Sequence, residues 1–226
     1  MHIVLAGDSI FDNNPYVGFG EPDVIQQLKT LLKNNDKATL LALDGSVTAS
    51  IHGQLENMPE DATHLFLSVG GNDALSMLNS LLEPVSSIGE GLLKFNFIRE
   101  DFEKKYSEML FQALKVGLPT CVCTIYHPRF DGNNLERISE FMPKIITPSD
   151  FQKIAMNGLS IFNDIIFQEA VKSCVPVVDL RVIFNEERDY ANPIEPSMFG
   201  GRKMVKVIQQ IVYEHDFSSN NSVVYS

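Results

Sequence analysis

The sequence contains little cysteine and no recognisable set of metal ligands. Two of its three cysteines, Cys121 and Cys123, fall two residues apart in an apolar run and face the same side of a predicted strand. We interpret them as buried small hydrophobic residues rather than disulfide partners, because free cysteine is commonly buried. No CxxC or HExxH motif occurs, and the five histidines are scattered. We therefore expect no metal and no other cofactor.

Basic residues are also scarce, and no apolar run is long. The chain has 18 lysines and arginines against 29 aspartates and glutamates, which gives a formal net charge of −11. Nucleic-acid binding and docking to anionic membranes both depend on clustered positive charge, so neither is expected. No apolar run approaches the ~20 residues of a membrane-spanning helix, and the first predicted strand begins near residue 2. These features predict a cytoplasmic protein without a secretory leader; the oligomeric state stays open.

Apolar runs and helical patterns alternate along all 226 residues, which predicts a single domain. Five runs rich in β-branched residues lack in–out alternation, as expected of strands buried on both faces of a parallel sheet. Amphipathic patterns between these runs predict helices, and residues 216–226 are expected to form a loose polar tail. The sequence therefore predicts a three-layer α/β/α sandwich with a flavodoxin-like, five-stranded parallel sheet. The predicted strands are His2–Ala6, Thr39–Leu43, Leu65–Val69, Thr120–Tyr126 and Val175–Leu180.

The segment from Ala74 to Arg99 is rich in leucine, methionine and phenylalanine, and it is longer than a simple connection requires. Such a segment predicts one or two helices packed on the sheet. Alternatively, it forms a hydrophobic cover over a site and admits an acyl or other apolar group. The sequence leaves both interpretations open.

Polar motifs directly follow the first and third predicted strands. Gly7–Ile10 reads Gly-Asp-Ser-Ile, and Gly70–Asp73 reads Gly-Gly-Asn-Asp. Because the carboxyl ends of parallel strands meet at one edge of a sheet, we expect both motifs to contribute to one site. Either motif alone could be an ordinary turn, with Ser9 as a helix cap or Asn72 as a turn residue. Their joint placement at strand ends indicates an enzyme.

Together with Asp44-Gly45 after the second strand, these motifs resemble those of the GDSL/SGNH hydrolases, which are serine esterases, lipases and acetyl-hydrolases on a flavodoxin-like fold. The resemblance implies that Ser9 is the nucleophile. It also implies that the backbone N–H groups of Ser9 and Gly45 and the side-chain amide of Asn72 form the oxyanion hole. Acyl transfer does require a hydroxyl nucleophile and preorganised hydrogen-bond donors. The implied partner is a small-molecule ester, with an apolar or acyl group, cleaved through an acyl-enzyme.

The last motif departs from the family pattern. GDSL/SGNH hydrolases end with Asp-x-x-His before the last helix, and here the aspartate and the histidine fall on Asn192 and Glu195. A glutamate base would be repelled by a neighbouring carboxylate but oriented by an amide donor, so the two changes are consistent with each other. Burial of Glu195 would raise its pKa from a reference value near ~4.3, which would make it a better base at neutral pH.

His127, which follows the fourth predicted strand, is the alternative base. To reach Ser9 it must cross the third strand, a distance of roughly two interstrand spacings of ~4.8 Å. The missing family histidine also favours an alternative function, a non-catalytic protein that binds an acylated or carbohydrate ligand. Phosphate or dinucleotide binding is disfavoured because the first turn lacks GxGxxG and a P-loop lysine.

Structural roles are expected for three further carboxylates near these motifs. Asp8 would brace the nucleophile turn, Asp73 the loop after the third strand, and Asp189 the last motif. Three of the histidines are expected at the surface and away from the site, namely His2, His64 and His215.

Overall fold

A parallel sheet with helices on both faces forms the centre of the molecule. The computed structural model describes residues 1–33, 35–130 and 146–226. Within these ranges the sheet has six strands in the order β2-β1-β3-β4-β5-β8, and neighbouring strands run parallel. The predicted α/β/α class is therefore confirmed. The strands are β1 (His2–Gly7), β2 (Lys37–Leu40), β3 (His64–Ser68), β4 (Thr120–Cys123), β5 (Val177–Val178) and β8 (Val224–Tyr225).

Several helices begin at side chains that accept hydrogen bonds from their first free backbone N–H groups. Asp23 caps α1, Thr147 caps α5 and Ser197 caps α7, each by accepting hydrogen bonds from the first turn. The helices are α1 (Val24–Leu31), α2 (Ile51–Leu55), α3 (Gly71–Ser76), α4 (Ile88–Leu114), α5 (Pro148–Lys172), α6 (Leu180–Ile183) and α7 (Met198–Glu214).

Both faces of the sheet are buried, which explains why the strands are apolar without alternation. In β1, Ile3 and Leu5 belong to the hydrophobic cluster formed with α1 and α7. Their neighbours Val4 and Ala6 face the opposite side and belong to the cluster formed with α4 and α5. All four residues are fully buried. No helix in the described ranges is both long and apolar enough to span a membrane.

The sheet has one strand more than the five predicted, because the tail adds an edge strand. Residues 216–226 were expected to be loose, but Val224–Tyr225 pairs with β5. The Val177 N–H donates to Val223, and the Asp179 N–H donates to Tyr225, so the tail satisfies backbone donors at the edge of β5. Two residues are too few to give a recognisable strand pattern in the sequence.

A second, two-stranded antiparallel sheet precedes α7. It consists of β6 (Tyr190–Asn192) and β7 (Glu195–Pro196), with Asn192 opposite Glu195. This hairpin carries the last sequence motif toward the carboxyl ends of β1 and β3.

Candidate active site

The turn after β1 carries Ser9 and requires glycine at its first position. Gly7 has φ +144°, and a Cβ there would lie 1.9 Å from the Ser68 carbonyl oxygen of β3. The Asp8 N–H donates to the same oxygen at 3.0 Å, and an Asp8 carboxylate oxygen accepts from the Ile10 N–H at 3.1 Å. These contacts fix the turn in which Ser9, 6% exposed, follows the strand.

The loop after β2 brings Gly45 to the same edge of the sheet. Gly45 has φ +79°, a conformation that favours glycine, and the Asp12 carboxylate accepts from the Asp44 N–H before it at 3.0 Å. In the described part of the chain, the backbone N–H groups of Ser9 and Gly45 donate to no protein acceptor. Both groups are therefore available to a substrate oxygen.

Asn72, in the first turn of α3, lies against the Gly45 loop. Its side-chain Nδ2 donates to the Ser46 carbonyl at 2.9 Å, which uses one of the two amide hydrogens. The Asp73 carboxylate accepts from the backbone N–H of Thr48 at 3.0 Å and from its hydroxyl at 2.8 Å. Asp73 thus ties α3 to the loop after β2, whereas the sequence predicted that it braces the loop after β3.

Gln54 is a buried positioning residue that the sequence reasoning missed. Its side-chain Oε1 accepts from the Gly7 N–H, and its Nε2 donates to the Gly7 carbonyl, both at 2.8 Å. Nε2 also donates to the Ser46 hydroxyl at 3.1 Å. One amide therefore holds the nucleophile turn and the Gly45 loop together. A lone glutamine on the short helix α2 carries no sequence signal for this role.

Replacing Gln54 with leucine is expected to lower the free energy of unfolding by about 1–3 kcal/mol, because the Gly7 N–H loses its buried acceptor. In a chain of this size the midpoint of thermal unfolding should fall by about 2–4 °C per kcal/mol. The control is Gln168→Leu, since the Gln168 amide donates to Asp164 one turn away on the surface of α5. Equal unfolding midpoints for the two variants would contradict this role for Gln54.

Glu195 lies in β7 beside Ser9 and is 7% exposed. Burial has the largest effect on the pKa of its carboxyl and raises it, hydrogen bonding with the Ser9 side chain lowers it, and the nearby Asp44 carboxylate raises it, so that the net pKa is about 7. Its Oε2 is buried and accepts no hydrogen bond from the described residues. The carboxylate is therefore close to half-ionised at neutral pH.

Backbone contacts on both sides hold the Glu195 segment in place. The Tyr126 hydroxyl donates to the Ile194 carbonyl, and the Asn13 Nδ2 donates to the Pro196 carbonyl at 3.2 Å. Asn192 lies opposite Glu195, but its side-chain oxygen accepts from the Ile194 N–H at 3.0 Å. Asn192 thus shapes the hairpin turn, and no hydrogen bond from its amide to the Glu195 carboxylate occurs in the described ranges.

Asp8 adds a second buried carboxyl group at the site. Burial raises its pKa well above the usual range, and the charges of Glu195 and Asp73 raise it further, while the backbone hydrogen bond from Ile10 lowers it. Burial therefore favours the neutral form of the Asp8 carboxyl, the form that would not repel the carboxylate of Glu195.

His127 lies beside the Asp179–Arg181 ion pair, away from Ser9. Burial lowers its pKa, the Arg181 charge lowers it further, and the Asp179 charge opposes both. The bidentate Asp179–Arg181 ion pair lies just after β5, beyond β4 from Ser9. His127 is absent from the described residues that line the cavity at Ser9.

The structure also shows the positions of Asp189 and His2, for which the sequence predicted a role and a surface location, respectively. The Asp189 carboxylate forms an ion pair with Lys203 at 2.7 Å and accepts hydrogen bonds from the backbone of the preceding loop. In the described residues, the last motif is bonded by the Asp189 backbone carbonyl, which accepts from the Ser197 N–H, and not by the carboxylate. His2, expected at the surface, is buried, with its ring nitrogens hydrogen-bonded to Asp61 and Thr39.

A cavity of about 90 Å³ opens beside Ser9, with Asn72 and Glu195 also in its wall. The remaining wall is largely apolar and comes mainly from α3, α4, α5 and the residues after β4. The apolar segment 74–99 both forms helices, as predicted, and lines this cavity with residues that include Leu75, Leu81 and Phe95.

Comparison with solved structures identifies the fold. The lipase Lip_vut3 from a goat rumen metagenome is similar with a TM-score of 0.68 and 19% sequence identity, over 95% of this chain and 99% of that one. An acetyl xylan esterase, Axe2 from Geobacillus stearothermophilus, gives a TM-score of 0.60 at 13% identity, over 92% and 93% of the two chains. A GDSL-like lipase from Bacteroides thetaiotaomicron gives 0.57 at 12% identity, over 94% and 88%.

Identities this low establish the fold alone. No protein-family model matches the chain, and no curated protein sequence is significantly similar to it. The chain therefore has the fold of GDSL/SGNH-type ester hydrolases, as the resemblance of its motifs implied. The roles of its individual residues rest on the geometry of the site.

Proposed function

We propose that this protein hydrolyses carboxylic esters through an acyl-enzyme, with Ser9 as nucleophile and Glu195 as general base. The observation that carries the proposal is that Ser9 and the buried Glu195 carboxyl line the same cavity, where hydrogen bonding with the Ser9 side chain lowers the pKa of that carboxyl. A nucleophile within reach of a base is the usual arrangement for covalent acyl transfer. Three candidate donors for an oxyanion, from Ser9, Gly45 and Asn72, belong to the loops at the same edge of the sheet.

In the first half-reaction, the Ser9 oxygen attacks the ester carbonyl carbon and its proton passes to Glu195. The oxyanion of the tetrahedral intermediate accepts hydrogen bonds from the backbone N–H groups of Ser9 and Gly45 and from the free amide hydrogen of Asn72. The bond from carbon to the alcohol oxygen then breaks, and Glu195 returns the proton to that oxygen. The acyl group is left on Ser9.

In the second half-reaction, Glu195 takes a proton from water, whose oxygen attacks the acyl carbon. The bond to the Ser9 oxygen breaks, the proton returns to that oxygen, and the carboxylic acid leaves. A general base works best when its pKa lies near the operating pH, and the pKa of about 7 for Glu195 meets this condition.

The proposal is tested with a panel of p-nitrophenyl esters, from acetate to dodecanoate, assayed between pH 5 and 9. We expect saturable hydrolysis of at least one ester at a rate that rises with pH. Failure to hydrolyse any of them, by a protein that unfolds cooperatively, would favour the alternative of a non-catalytic binding protein.

Replacing Asn72 with alanine is expected to lower kcat by about 10²–10³-fold with a much smaller change in KM, because an oxyanion donor acts mainly in the transition state. The control is Asn96→Ala, since Asn96 is exposed on α4 and donates only to Glu100, one turn away. Retained kcat with a raised KM would instead assign Asn72 to substrate positioning.

A further inference from the structure

The cavity beside Ser9 has a largely apolar wall with a few polar residues. Ser9, Asn72 and Glu195 are among the polar ones, together with Asp8, Ser68 and Thr124, and α4 and α5 contribute apolar residues that include Phe95 and Phe162. We propose that this cavity binds the acyl chain of the ester, and that its volume, with Gly158 and Leu81 in the wall, limits the chain to about four to six carbons. This inference rests on the proposed ester hydrolysis and adds the substrate class.

We assign the cavity to the acyl group of the ester rather than to its alcohol group, because the alcohol must leave during the reaction. The acyl group stays bonded to Ser9 through both half-reactions, whereas the alcohol must leave and water must enter between them. An apolar cavity favours the group that stays and excludes the water that the second step needs. The exchange of alcohol and water is therefore assigned to the solvent side of Ser9, where the exposed residues Asp44 and Gly45 lie.

The volume of the cavity limits the length of the chain. An apolar protein cavity of about 150 Å³ holds benzene, with six carbons, so 90 Å³ corresponds to roughly four carbon atoms. Because side-chain rotamers commonly change on binding, we take about six carbons as the upper limit. An acetyl group would leave most of the cavity empty, and a dodecanoyl group would exceed it.

Gly158 stands where a side chain would occupy this space. It is a buried residue within the helix α5, and a Cβ there would meet the Leu81 methyl groups at 3.8 and 3.9 Å, which is ordinary contact. Gly158 and Ser9 line the same cavity. A leucine at this position would place four carbons in the cavity.

The test compares Gly158→Leu with Gly89→Leu. Both variants replace a helical glycine with leucine, a better helix former. Gly89 is exposed in the first turn of α4, where a Cβ would meet only the Ser87 hydroxyl at 3.8 Å. Two substrate series are assayed: p-nitrophenyl esters with acyl chains of two to twelve carbons, and acetate esters of alcohols of the same lengths.

In the wild type and in Gly89→Leu, kcat/KM is expected to peak at acyl chains of four to six carbons and to change little along the alkyl acetates. In Gly158→Leu, kcat/KM for the hexanoyl ester should fall by about tenfold or more while that for the acetyl ester changes less than about threefold. A peak in kcat/KM along the alkyl acetate series would overturn the proposal. So would a dependence of kcat/KM on acyl-chain length that is the same in Gly158→Leu as in the wild type.

Binding to the Ser9→Ala protein separates this proposal from the proposed function. Hexanoate and 1-hexanol are titrated calorimetrically into Ser9→Ala with and without Gly158→Leu. Binding of hexanoate that Gly158→Leu weakens by about tenfold would support the cavity even if no ester is hydrolysed. If neither compound binds, the cavity does not accept an alkyl chain, whatever the outcome of the ester assays.

Discussion

Replacing Ser9 with alanine is expected to lower kcat for ester hydrolysis by about 10⁴-fold or more, because the reaction loses its nucleophile and with it the covalent intermediate. The measurement is the release of p-nitrophenol from the ester that the wild type hydrolyses fastest. A second hydroxyl on another strand end is not expected to substitute, since Ser9 is the serine whose side chain affects the pKa of the Glu195 carboxyl.

The Ser9→Ala protein should remain folded, because the substitution removes one oxygen atom and leaves no backbone group without a partner. The matched control is Ser160→Ala, since Ser160 is exposed on α5 and its hydroxyl donates to a carbonyl of its own helix. Hydrolysis by Ser9→Ala at the wild-type rate, with normal thermal unfolding, would show that Ser9 is not the nucleophile.

Replacing Glu195 with glutamine is expected to lower kcat by about 10²–10⁴-fold, because the amide keeps the shape of the side chain but cannot accept the Ser9 proton. Only the ionised form of Glu195 is a base, and burial raises its pKa to about 7. The wild-type kcat/KM should therefore rise about tenfold per pH unit below 7 and level off above it. The residual kcat/KM of Glu195→Gln should not show this rise with pH.

As the pH rises, the stability of the wild type should fall while its activity rises, and the stability of Glu195→Gln should lack this change. Glu195 ionises near its ordinary pKa of 4.5 when the chain is unfolded and near 7 when it is folded. The folded wild type therefore loses stability as the pH rises from about 4.5 to 7, and Glu195→Gln does not incur this loss. Urea unfolding at pH 8 should show that the inactive variant is at least as stable as the wild type.

Two further variants distinguish Glu195 from His127 as the base. His127→Ala should retain activity, because His127 interacts with Asp179 and Arg181 rather than with Ser9. The double variant Asn192→Asp with Glu195→His recreates the usual family pair and should retain or raise activity. A fully active Glu195→Gln protein combined with an inactive His127→Ala protein would reverse the assignment.

The sequence was sufficient to predict the elements that depend on local pattern. Strands buried on both faces are apolar without alternation, and Gly7 and Gly45 mark turns that glycine adopts most easily. The strand-end positions of Ser9 and Asn72 then follow from the parallel arrangement of the sheet. These features are encoded over a few neighbouring residues, and the structure places them at one edge of the sheet.

The features that the sequence did not predict depend on contacts between distant segments. The amide of Gln54 bonds to Gly7, 47 residues earlier, and strand β8 pairs with β5 through only two residues. The side chain of Asn192 was expected to orient Glu195 through its amide N–H groups, but a local hydrogen bond from the Ile194 N–H to its oxygen holds the side chain in the hairpin turn. The packing of distant segments determines which of several possible partners a residue bonds to, and a single sequence does not reveal that packing.

The central claim, that Glu195 activates Ser9, is tested most directly by labelling with a fluorophosphonate and measuring the intact mass at several pH values. We expect one phosphonyl adduct, located by peptide mapping at Ser9, that forms at a rate rising through pH 7 in the wild type. The adduct should be absent from Ser9→Ala and should form at least about 10²-fold more slowly in Glu195→Gln. A wild-type protein that gains no adduct, or that reacts as fast after Glu195→Gln, would contradict the claim.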